Sequence, residues 1–262
     1  MKRSPIQMNR SDWPEELLRF TGDAAIFDSS CSPEARVFFI DKDEGYFLKT
    51  AGAGTLQTEA QMTKYMHSLK LSAEVLCCGS FKDRDWLLTR RIAGEDCTDR
   101  QYLADPKRLC DTTAGLLRAL HETDAENCPV DRICSYAETV RNGFSGRHYE
   151  PDLFQGLWEF PSFEDAKRTA EDGLPLLQRD TLLHGDYCLP NIILNDWRFS
   201  GYIDLGNGGI GDRHIDILWG IWTLNFNLGT TKYTERFMDA YGRDRIDPEM
   251  LRMVAAMEVT GG

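Results

Sequence analysis

The sequence lacks several features that would assign a protein to a membrane, a secretory route or a metal-binding class. No run of about 18 apolar residues occurs, so a membrane span is not predicted. The opening MKRSPIQMNRSDW is basic but has no apolar segment behind it, which argues against a secretory signal. The eight cysteines form no C-x-x-C pair, so we expect reduced thiols rather than a zinc site or disulfides. These absences favour a cytoplasmic protein.

Positive charge is also scarce. The chain has 30 Lys and Arg against 42 Asp and Glu, a net charge of −12 at pH 7. Because nucleic-acid binders need clustered Lys and Arg, we expect no nucleic-acid partner. An acidic protein can attract a cationic ligand, although many globular proteins are simply acidic. Hydrophobic residues make up 42% and charged residues 27%, the ordinary balance of a folded chain.

The hydrophobic pattern changes part-way along the chain. Residues 36–50 predict two strands around a turn, residues 55–69 predict a helix, and EVLCCG and DWLLTRRI predict two more strands. Helical periodicity dominates afterwards, with Pro106 opening one helix and short strands at 191–194 and 199–204 joined by an Asn-Asp turn. We therefore predict an α+β fold with a β-rich N-terminal lobe carrying one main helix, residues 1–92, and a mostly helical C-terminal lobe, residues 93–262.

Two motifs in the second half point to phosphoryl transfer. LLHGDYCLPNIIL contains His-x-Asp-x-x-x-x-Asn, and GYIDLG places Asp204 13 residues after Asn191. A loop Asp can accept the proton of an attacking hydroxyl, while Mg²⁺ takes one or two carboxylates and completes its shell with phosphates and water. This is the kinase spacing, so we predict Asp186 as the catalytic residue and Asn191 and Asp204 as metal ligands. The alternative, a turn capped by an Asp, does not account for both motifs in this order.

The first half supplies matching nucleotide contacts. Lys49 ends the apolar strand YFLK, and Glu59 lies ten residues later in the predicted helix. In the kinase template a strand Lys contacts the ATP phosphates and is held by a helix Glu, although a strand-end Lys taken alone is usually a solvated residue. No G-x-x-x-x-G-K-[ST] segment occurs, which excludes a Walker-type ATP site.

These segments together resemble the aminoglycoside phosphotransferase family, specifically the aminoglycoside 3′-phosphotransferases, over nearly the whole chain. The resemblance runs through CSPEARVF, YFLK, LLTRRIAG, LHETDAENCP, LLHGDYCLPNIIL and GYIDLGNGGIGDRHIDI. It implies a protein-kinase-like bilobal fold, ATP (or GTP) and Mg²⁺ as cofactors, and a cationic aminoglycoside as partner. It further implies that Ser32 contacts the nucleotide, that Arg90 and Ile92 meet adenine through backbone atoms, and that Asp212 and Asp216 brace the catalytic loop.

The resemblance is thinner where the substrate would bind. Members of the family hold polycationic sugars with acids from an insertion between C-lobe helices, from a later helix and from the C-terminus. Here it implies Asp152 and Glu159 in the insertion and Glu258 near the C-terminus as tentative substrate contacts. The later helix reads TLNFNLG, so Phe226 and Asn227 stand where relatives carry acids.

Three hypotheses remain open from the sequence. The first is Mg²⁺-dependent transfer of the ATP γ-phosphate to a hydroxyl, at the 3′ position, of an aminoglycoside by a monomer or weak dimer. The second keeps the fold but makes the acceptor another hydroxyl metabolite, such as an amino alcohol or a sugar. The third is a nucleotide-binding regulator without turnover, against which the intact set of predicted catalytic residues argues. A protein kinase is disfavoured because no activation segment of suitable length follows Asp204.

Overall fold

A computed structural model describes residues 4–10, 13–30 and 35–262 of the protein. The chain divides into two compact units. The first comprises Met1–Asp96 together with Ile193–Gly206, and the second comprises Cys97–Ile192 together with Asn207–Gly262. The first unit is thus completed by a segment that lies late in the sequence. The lobe boundary placed between residues 92 and 93 stays a prediction.

The first unit contains a six-stranded antiparallel sheet. Its strands are β1 (Ser4–Ile6), β2 (Ala25–Asp28), β3 (Arg36–Asp41), β4 (Tyr46–Gly52), β5 (Val75–Phe81) and β6 (Arg84–Arg90), in the order β1-β2-β3-β4-β6-β5. The four predicted strands are β3 to β6, and the predicted helix is α2 (Gln57–Ser68). The sequence prediction missed β1, β2 and α1 (Glu15–Thr21), because their apolar runs are too short to establish a period.

Alternation along the strands gives this sheet two apolar faces. Leu48 and Leu88 belong to one buried cluster, which α1 joins through Leu17. Leu87, one residue away, belongs to a second cluster with Leu56 and other residues at the start of α2. Each fully buried side chain of this size contributes about 1.5–3 kcal/mol, so the two helices are held by the sheet they cover.

Two-residue turns fix the register of two hairpins. Lys82 and Asp83 join β5 to β6 with φ of 49° and 60°. Asp196 and Trp197, with φ of 49° and 64°, join β9 (Ile192–Asn195) to β10 (Arg198–Tyr202). Two successive positive φ values are typical of turns whose twist matches that of the strands. The hairpin predicted from the strands at 191–194 and 199–204 is therefore confirmed, with its turn one residue later than the expected Asn-Asp pair. Strands β10 and β9 form a sheet with β7 (Glu95–Asp96).

The second unit is mainly helical, and polar side chains mark where its helices begin. The helices are α3 (Arg100–Leu103), α4 (Pro106–His121), α5 (Arg132–Gly146), α6 (Phe163–Gly173), α7 (Arg213–Leu228), α8 (Thr234–Tyr241) and α9 (Pro248–Val259). The side chains of Asp105, Asp131, Ser162, Asp212 and Asp247 accept backbone N–H bonds at the starts of α4, α5, α6, α7 and α9. Each such cap stabilises its helix by about 1 kcal/mol. A short antiparallel pair, β8 (Thr181–Leu183) with β11 (Gly209–Gly211), completes the unit.

Two properties of the described residues bear on the sequence predictions. The cysteines at 77, 78, 97, 110, 128, 134 and 188 carry free thiols, as expected. In the part of the chain that the structure describes, no helix combines the length and apolar content that a membrane crossing requires.

Candidate active site

The first unit brings three of the predicted site residues into one cluster. Lys49 on β4 places its Nζ atom 2.7 Å from Oε2 of Glu59 on α2 and 2.8 Å from Oδ1 of Asp204. The Lys49 side chain is 20% exposed and that of Glu59 only 9%, whereas that of Asp204 is 51% exposed. A partly buried cation is thus held between a buried and a solvent-facing carboxylate.

Burial and charge act in opposite directions on this cluster. Burial alone would lower the pKa of Lys49, but the charges of Glu59 and Asp204 outweigh it and raise the pKa above its ordinary 10.5. Burial is also the main reason that the pKa of Glu59 is raised from 4.5, while Lys49 opposes that rise. The ammonium group therefore stays charged, which a phosphate contact requires. Removal of Glu59 would leave Lys49 with one fewer counter-charge in a largely buried place, which is strongly unfavourable.

The backbone around Asp204 is set by its neighbours within the same unit. Tyr202 ends β10, is buried, and donates its N–H to the Leu71 carbonyl at 2.8 Å. Asp204 itself has φ of 60°, a left-handed conformation that Asp tolerates better than most residues. Gly206 packs directly against Glu59, since a Cβ there would lie 3.7 Å from the Glu59 carboxylate. Asp204 is thus held next to the Lys49–Glu59 pair by its flanking residues.

Arg90 and Ile92, which are predicted to meet adenine, lie where β6 leaves the sheet. The Arg90 N–H donates to the Glu74 carbonyl at 2.9 Å, and its guanidinium pairs with the Glu74 carboxylate at 2.9 Å. Ile92 packs against Gly201 of β10, where an added Cβ would lie 2.7 Å from Ile92 Cδ1. These contacts fix the segment, and the adenine contacts assigned to its backbone stay a prediction. Ser32 lies outside the described residues.

The second unit forms the loop that carries Asp186. The Asn191 amide donates from Nδ2 to the Asp186 carbonyl at 3.0 Å and to Asp186 Oδ2 at 2.8 Å. The Cys188 N–H also donates to the Asp186 carbonyl, at 2.8 Å. Asn191 is thereby fixed with its amide nitrogen towards Asp186, and one carboxylate oxygen of Asp186 is oriented by a side chain from its own loop.

Asp216 on α7 anchors this loop by accepting hydrogen bonds from its backbone. Its fully buried carboxylate accepts the N–H groups of His184 and Gly185, each at 2.7 Å. Gly185 has φ of 82°, and a Cβ there would lie 1.8 Å from the Asn207 carbonyl oxygen, so only glycine fits. The predicted bracing role of Asp216 is confirmed by these contacts. Asp212 has no such contact with His184 or Gly185 among the hydrogen bonds described. It accepts the Gln178 N–H ahead of β8 and caps the start of α7, so its support of the loop is indirect.

A buried histidine completes the support of Asp216. His121 Nε2 lies 3.2 Å from Asp216 Oδ2, and His121 Nδ1 lies 2.8 Å from the Tyr241 hydroxyl. Burial lowers the pKa of His121, so the ring is neutral and has one N–H. Because a carboxylate only accepts, that hydrogen is on Nε2, and Tyr241 donates to Nδ1. The loop anchor is therefore a chain from Tyr241 through His121 to Asp216.

Helix α7 supports the same loop at a second point. The Leu189 N–H donates to the Thr223 hydroxyl at 3.1 Å, and Asn227 Nδ2 donates to the Thr223 carbonyl at 2.7 Å. Asn227, singled out as a replacement for an acid of the relatives, thus has its amide directed at the helix rather than at solvent. Thr223 was not predicted, and a threonine inside an apolar helix gives no signal of such a role.

The tentative substrate residues fall into two groups. Asp152 and Glu159 are both exposed, and among the residues that the structure describes neither takes part in an ion pair. Glu258 is different, because it is only 6% exposed and accepts the Tyr136 hydroxyl at 2.8 Å. Burial raises the pKa of Glu258 to about 7. The partners of Glu258 are internal, and its contact with substrate stays a prediction.

A row of aromatic rings extends from this buried glutamate to the surface. Trp219 helps to stabilise the charge of Glu258, while the negative charge of Asp186 raises the pKa of Glu258 further. The Trp219 and Trp222 rings lie 5.2 Å apart, and Trp222 stacks on Phe226 at 5.0 Å with 17° between the planes. Phe226 is 70% exposed. We call Trp219, Trp222 and Phe226 the aromatic row.

The aromatic row packs against the acidic insertion. Trp222 Nε1 donates to the Leu153 carbonyl at 2.8 Å, and the Phe154 ring lies 5.8 Å from that of Trp219. Asp152 therefore adjoins in sequence a residue that touches the row. Exposed carboxylates next to exposed aromatic faces are chemically suited to a ligand with both ammonium groups and sugar rings.

Each unit supplies one oxygen donor of a kind that Mg²⁺ accepts. Because the Asn191 Nδ2 atom is used on Asp186, its Oδ1 oxygen is directed away from that carboxylate. Asp204 offers a half-exposed carboxylate. Within the described ranges no group of three or more His, Cys, Asp or Glu side chains is arranged to hold a metal. Mg²⁺ commonly binds with one or two carboxylates and takes its other ligands from phosphates and water.

Comparison with known proteins gives this site its family. The family model described as "Phosphotransferase enzyme family" matches residues 29–254. This chain belongs to the phosphotransferase enzyme family. A relative from Lactococcus lactis subsp. lactis, named "Probable aminoglycoside 3′-phosphotransferase", is 48% identical over 257 residues, 98% of either chain. An aminoglycoside 3′-phosphotransferase of Niallia circulans is 26% identical over 254 residues, 94% of this chain and 97% of its own.

Comparison with solved structures identifies the fold of this chain. An aminoglycoside phosphotransferase from Streptomyces rimosus, determined in complex with ADP and streptomycin, matches with a TM-score of 0.76 at 20% identity. The match covers 98% of this chain and 100% of that one. The predicted protein-kinase-like α+β fold is thereby confirmed. The family match and the 48% identical relative confirm the prediction of a phosphotransferase.

Proposed function

We propose that this phosphotransferase transfers the γ-phosphate of ATP to the 3′-hydroxyl of an aminoglycoside. The observation that carries the proposal is the 48% identity over 98% of both chains with a relative named for that reaction. The local chemistry supports it, because the chain has a charged lysine for phosphates and a loop carboxylate for a hydroxyl. Enzymes that transfer phosphoryl groups use both a lysine of this kind and a carboxylate of this kind.

Asp186 is the proposed base. One oxygen of its carboxylate, Oδ2, accepts a hydrogen bond from Asn191 Nδ2 at 2.8 Å. The other oxygen is left for the acceptor hydroxyl. As the hydroxyl oxygen bonds to the γ-phosphorus, its proton passes to Asp186, and the bond between the γ-phosphorus and the bridging oxygen breaks to release ADP. A positioned general base contributes about 10²- to 10⁴-fold to the rate. The loop anchors described above supply that positioning.

Lys49 is the proposed phosphate contact, with Glu59 holding it in place. In the described structure Lys49 also neutralises Asp204 at 2.8 Å, so a phosphate group would take over part of that interaction. Asn191 and Asp204 are the proposed ligands of Mg²⁺, which would neutralise charge on the phosphates. ATP and GTP present the same phosphates to these residues. A preference for one of the two nucleotides would therefore arise from the contacts proposed between the base and the backbone of Arg90 and Ile92.

The proposed acceptor site uses charge and aromatic faces together. Asp152 and Glu159 would bind ammonium groups, and each charge-assisted hydrogen bond is worth about 1.5–3 kcal/mol. The aromatic row would pack against the sugar rings. Glu258 could contribute charge from beneath the surface, because its pKa of about 7 leaves it part-ionised at neutral pH.

One observation favours a second candidate within the same family. Phe226 is 70% exposed where the resemblance implies an acid, and Glu258 bonds internally to Tyr136. A site with fewer available carboxylates suits an acceptor with fewer amines, such as an amino alcohol or a sugar. The two candidates share all the ATP chemistry and differ only in the acceptor.

A coupled ADP-release assay with ATP and Mg²⁺ separates them. Kanamycin and neomycin should stimulate turnover, whereas tobramycin, which lacks the 3′-hydroxyl, should not. Protein that binds ATP but responds to none of these compounds would exclude the aminoglycoside proposal and leave the second candidate. Protein that binds ATP but shows no turnover with any hydroxyl acceptor tested would favour a nucleotide-binding regulator.

The role of Asp186 is tested by Asp186→Ala. We expect kcat to fall by about 10²- to 10⁴-fold because the proton acceptor is lost. The matched control is Asp172→Ala, an exposed aspartate on α6 of the same unit. A fall in kcat of less than about tenfold in Asp186→Ala would exclude Asp186 as the base.

A further inference from the structure

A buried carboxylate on β6 has no place in any of the motifs. Asp85 is 3% exposed and lies opposite Ala51 in the pairing of β4 with β6. Aspartates are rarely this buried unless strong partners compensate the loss of water. The partners of Asp85 are the Ser80 hydroxyl and the Leu56 backbone N–H, which indicates a role in fixing the backbone.

The contacts of Asp85 converge on one loop. The Leu56 N–H donates to Asp85 Oδ2 at 3.0 Å, and the Ser80 hydroxyl donates to Oδ1. The backbone of Gly54 and Thr55 also helps to stabilise the charge of this carboxylate, while the Thr55 N–H itself donates to the Gly52 carbonyl at 3.2 Å. Burial would raise the pKa of Asp85, but these hydrogen bonds outweigh burial and lower it from 3.8. Asp85 is therefore a charged acceptor for the Leu56 N–H and the Ser80 hydroxyl, and it lies close to the backbone of the two residues before Leu56.

That loop joins the two halves of the nucleotide site. It connects β4, which carries Lys49 three residues before its end, to α2, whose third residue is Glu59. Leu56 is the residue that precedes α2, and its own side chain makes no cap. The first N–H groups of a helix need acceptors, and a negative charge at that end is favourable. Asp85 supplies from a neighbouring strand the cap that the local sequence of α2 lacks.

We propose that Asp85 is a positioning residue for nucleotide binding: it fixes where α2 starts relative to β4 and so holds Glu59 against Lys49. The Lys49–Glu59 contact of 2.7 Å leaves little room for displacement of the helix. If the Leu56 N–H lost this charged acceptor, the start of α2 would shift or fray and the Lys49–Glu59 ion pair would lengthen. This proposal rests on the proposed function, since Lys49 matters through the ATP phosphates.

The test measures ATP binding by isothermal titration calorimetry, with Mg²⁺ and without acceptor, in a double-mutant cycle. Asp85→Asn keeps the size of the side chain but removes its charge and one acceptor oxygen. We expect it to weaken ATP binding about fivefold, which corresponds to about 1 kcal/mol. In a Glu59→Gln background, where the pair is already broken, the same change should cost less than about twofold. An equal loss in both backgrounds would overturn the proposal, because it would mean that Asp85 supports the fold without acting through Glu59.

Two further variants keep the test decisive. Asp83→Asn, at an exposed turn position two residues before Asp85, should leave ATP affinity unchanged. Ser80→Ala removes only the hydroxyl that orients Asp85, and it decides the matter if Asp85→Asn does not fold. We expect a smaller loss of ATP affinity that again depends on Glu59, and an unchanged affinity would overturn the proposal. Wild-type protein that binds no ATP would instead refute the proposed function.

Discussion

Replacement of Asp216 by asparagine tests how strongly a buried anchor controls the catalytic loop. The Asp216 carboxylate accepts from the His184 N–H and the Gly185 N–H at 2.7 Å each, and from His121 Nε2 at 3.2 Å. An asparagine amide keeps one acceptor oxygen and replaces the other with a donor. In either orientation at least one backbone N–H then faces another N–H in a fully buried place.

The cost follows from those contacts. Leaving one buried donor without its charged acceptor costs about 1.5–3 kcal/mol, and loss of the charge weakens the remaining bonds. We therefore expect Asp216→Asn to lower the free energy of unfolding by about 2–4 kcal/mol. The loop should also shift, and because a displacement of about 1 Å can cost 10²-fold in rate, kcat should fall about 10- to 100-fold. KM for ATP should change by less than about twofold, since binding energy common to ground and transition states is kept.

The assay is urea unfolding followed by tryptophan fluorescence, with kcat measured in parallel per mole of folded protein. Trp158, Trp219 and Trp222 lie in the same compact unit as Asp216 and report its transition. Asp172→Asn, an exposed aspartate on α6, is the matched control and should stay within about 0.5 kcal/mol of wild type. An Asp216→Asn protein with wild-type stability and kcat would show that the loop does not depend on this anchor.

Two other predictions concern the acceptor side of the protein. The folded pKa of Glu258, about 7, is above its ordinary 4.5, so its stabilising contribution is present below pH 4.5 and is lost as pH rises through 7. Glu258→Gln should thus gain up to about 3 kcal/mol in unfolding free energy relative to wild type between pH 5 and pH 8, measured by urea titration at both values, and a constant difference would refute this. Phe226→Ala should raise KM for the acceptor about two- to fivefold, the worth of a surface cation–π contact, without changing KM for ATP. Leu176→Ala, at another exposed apolar residue, is its control, and an unchanged acceptor KM would remove Phe226 from the site.

The sequence predicted the parts of the fold that have a strong period. Strands β3 to β6 and helix α2 were expected because apolar residues alternate or recur at helical spacing over several turns. Strand β1 has three residues and β7 has two, too few for any periodicity, and their pairing depends on strands remote in sequence. The placement of residues 193–206 in the first unit has the same origin, since it follows from contacts and not from local pattern.

Among the site residues, the sequence predicted those that belong to a motif, together with the bracing residue Asp216, and missed other residues that support them. Lys49, Glu59 and Asp204 were expected together and do form one cluster. Asp85 and Thr223 were not expected, because an aspartate at the start of an apolar strand or a threonine in an apolar helix has no characteristic spacing. Their roles depend on which backbone groups the fold brings near them, and that information is not local.

The supporting residues are needed for a physical reason. Fixing each backbone residue of a loop costs about 1–2 kcal/mol in conformational entropy, and the loop from His184 to Asn191 has little regular structure to offset this. It must also leave Asp186 accessible, so the Asp186 side chain cannot be covered by apolar packing. Buried acceptors such as Asp216 solve both problems, because they bind the backbone from the inner side and leave the outer side to substrate. Asp85 has the same relation to the start of α2. In this protein, sensitivity to substitution should therefore extend one contact beyond the motif residues, into buried carboxylates that never touch a ligand.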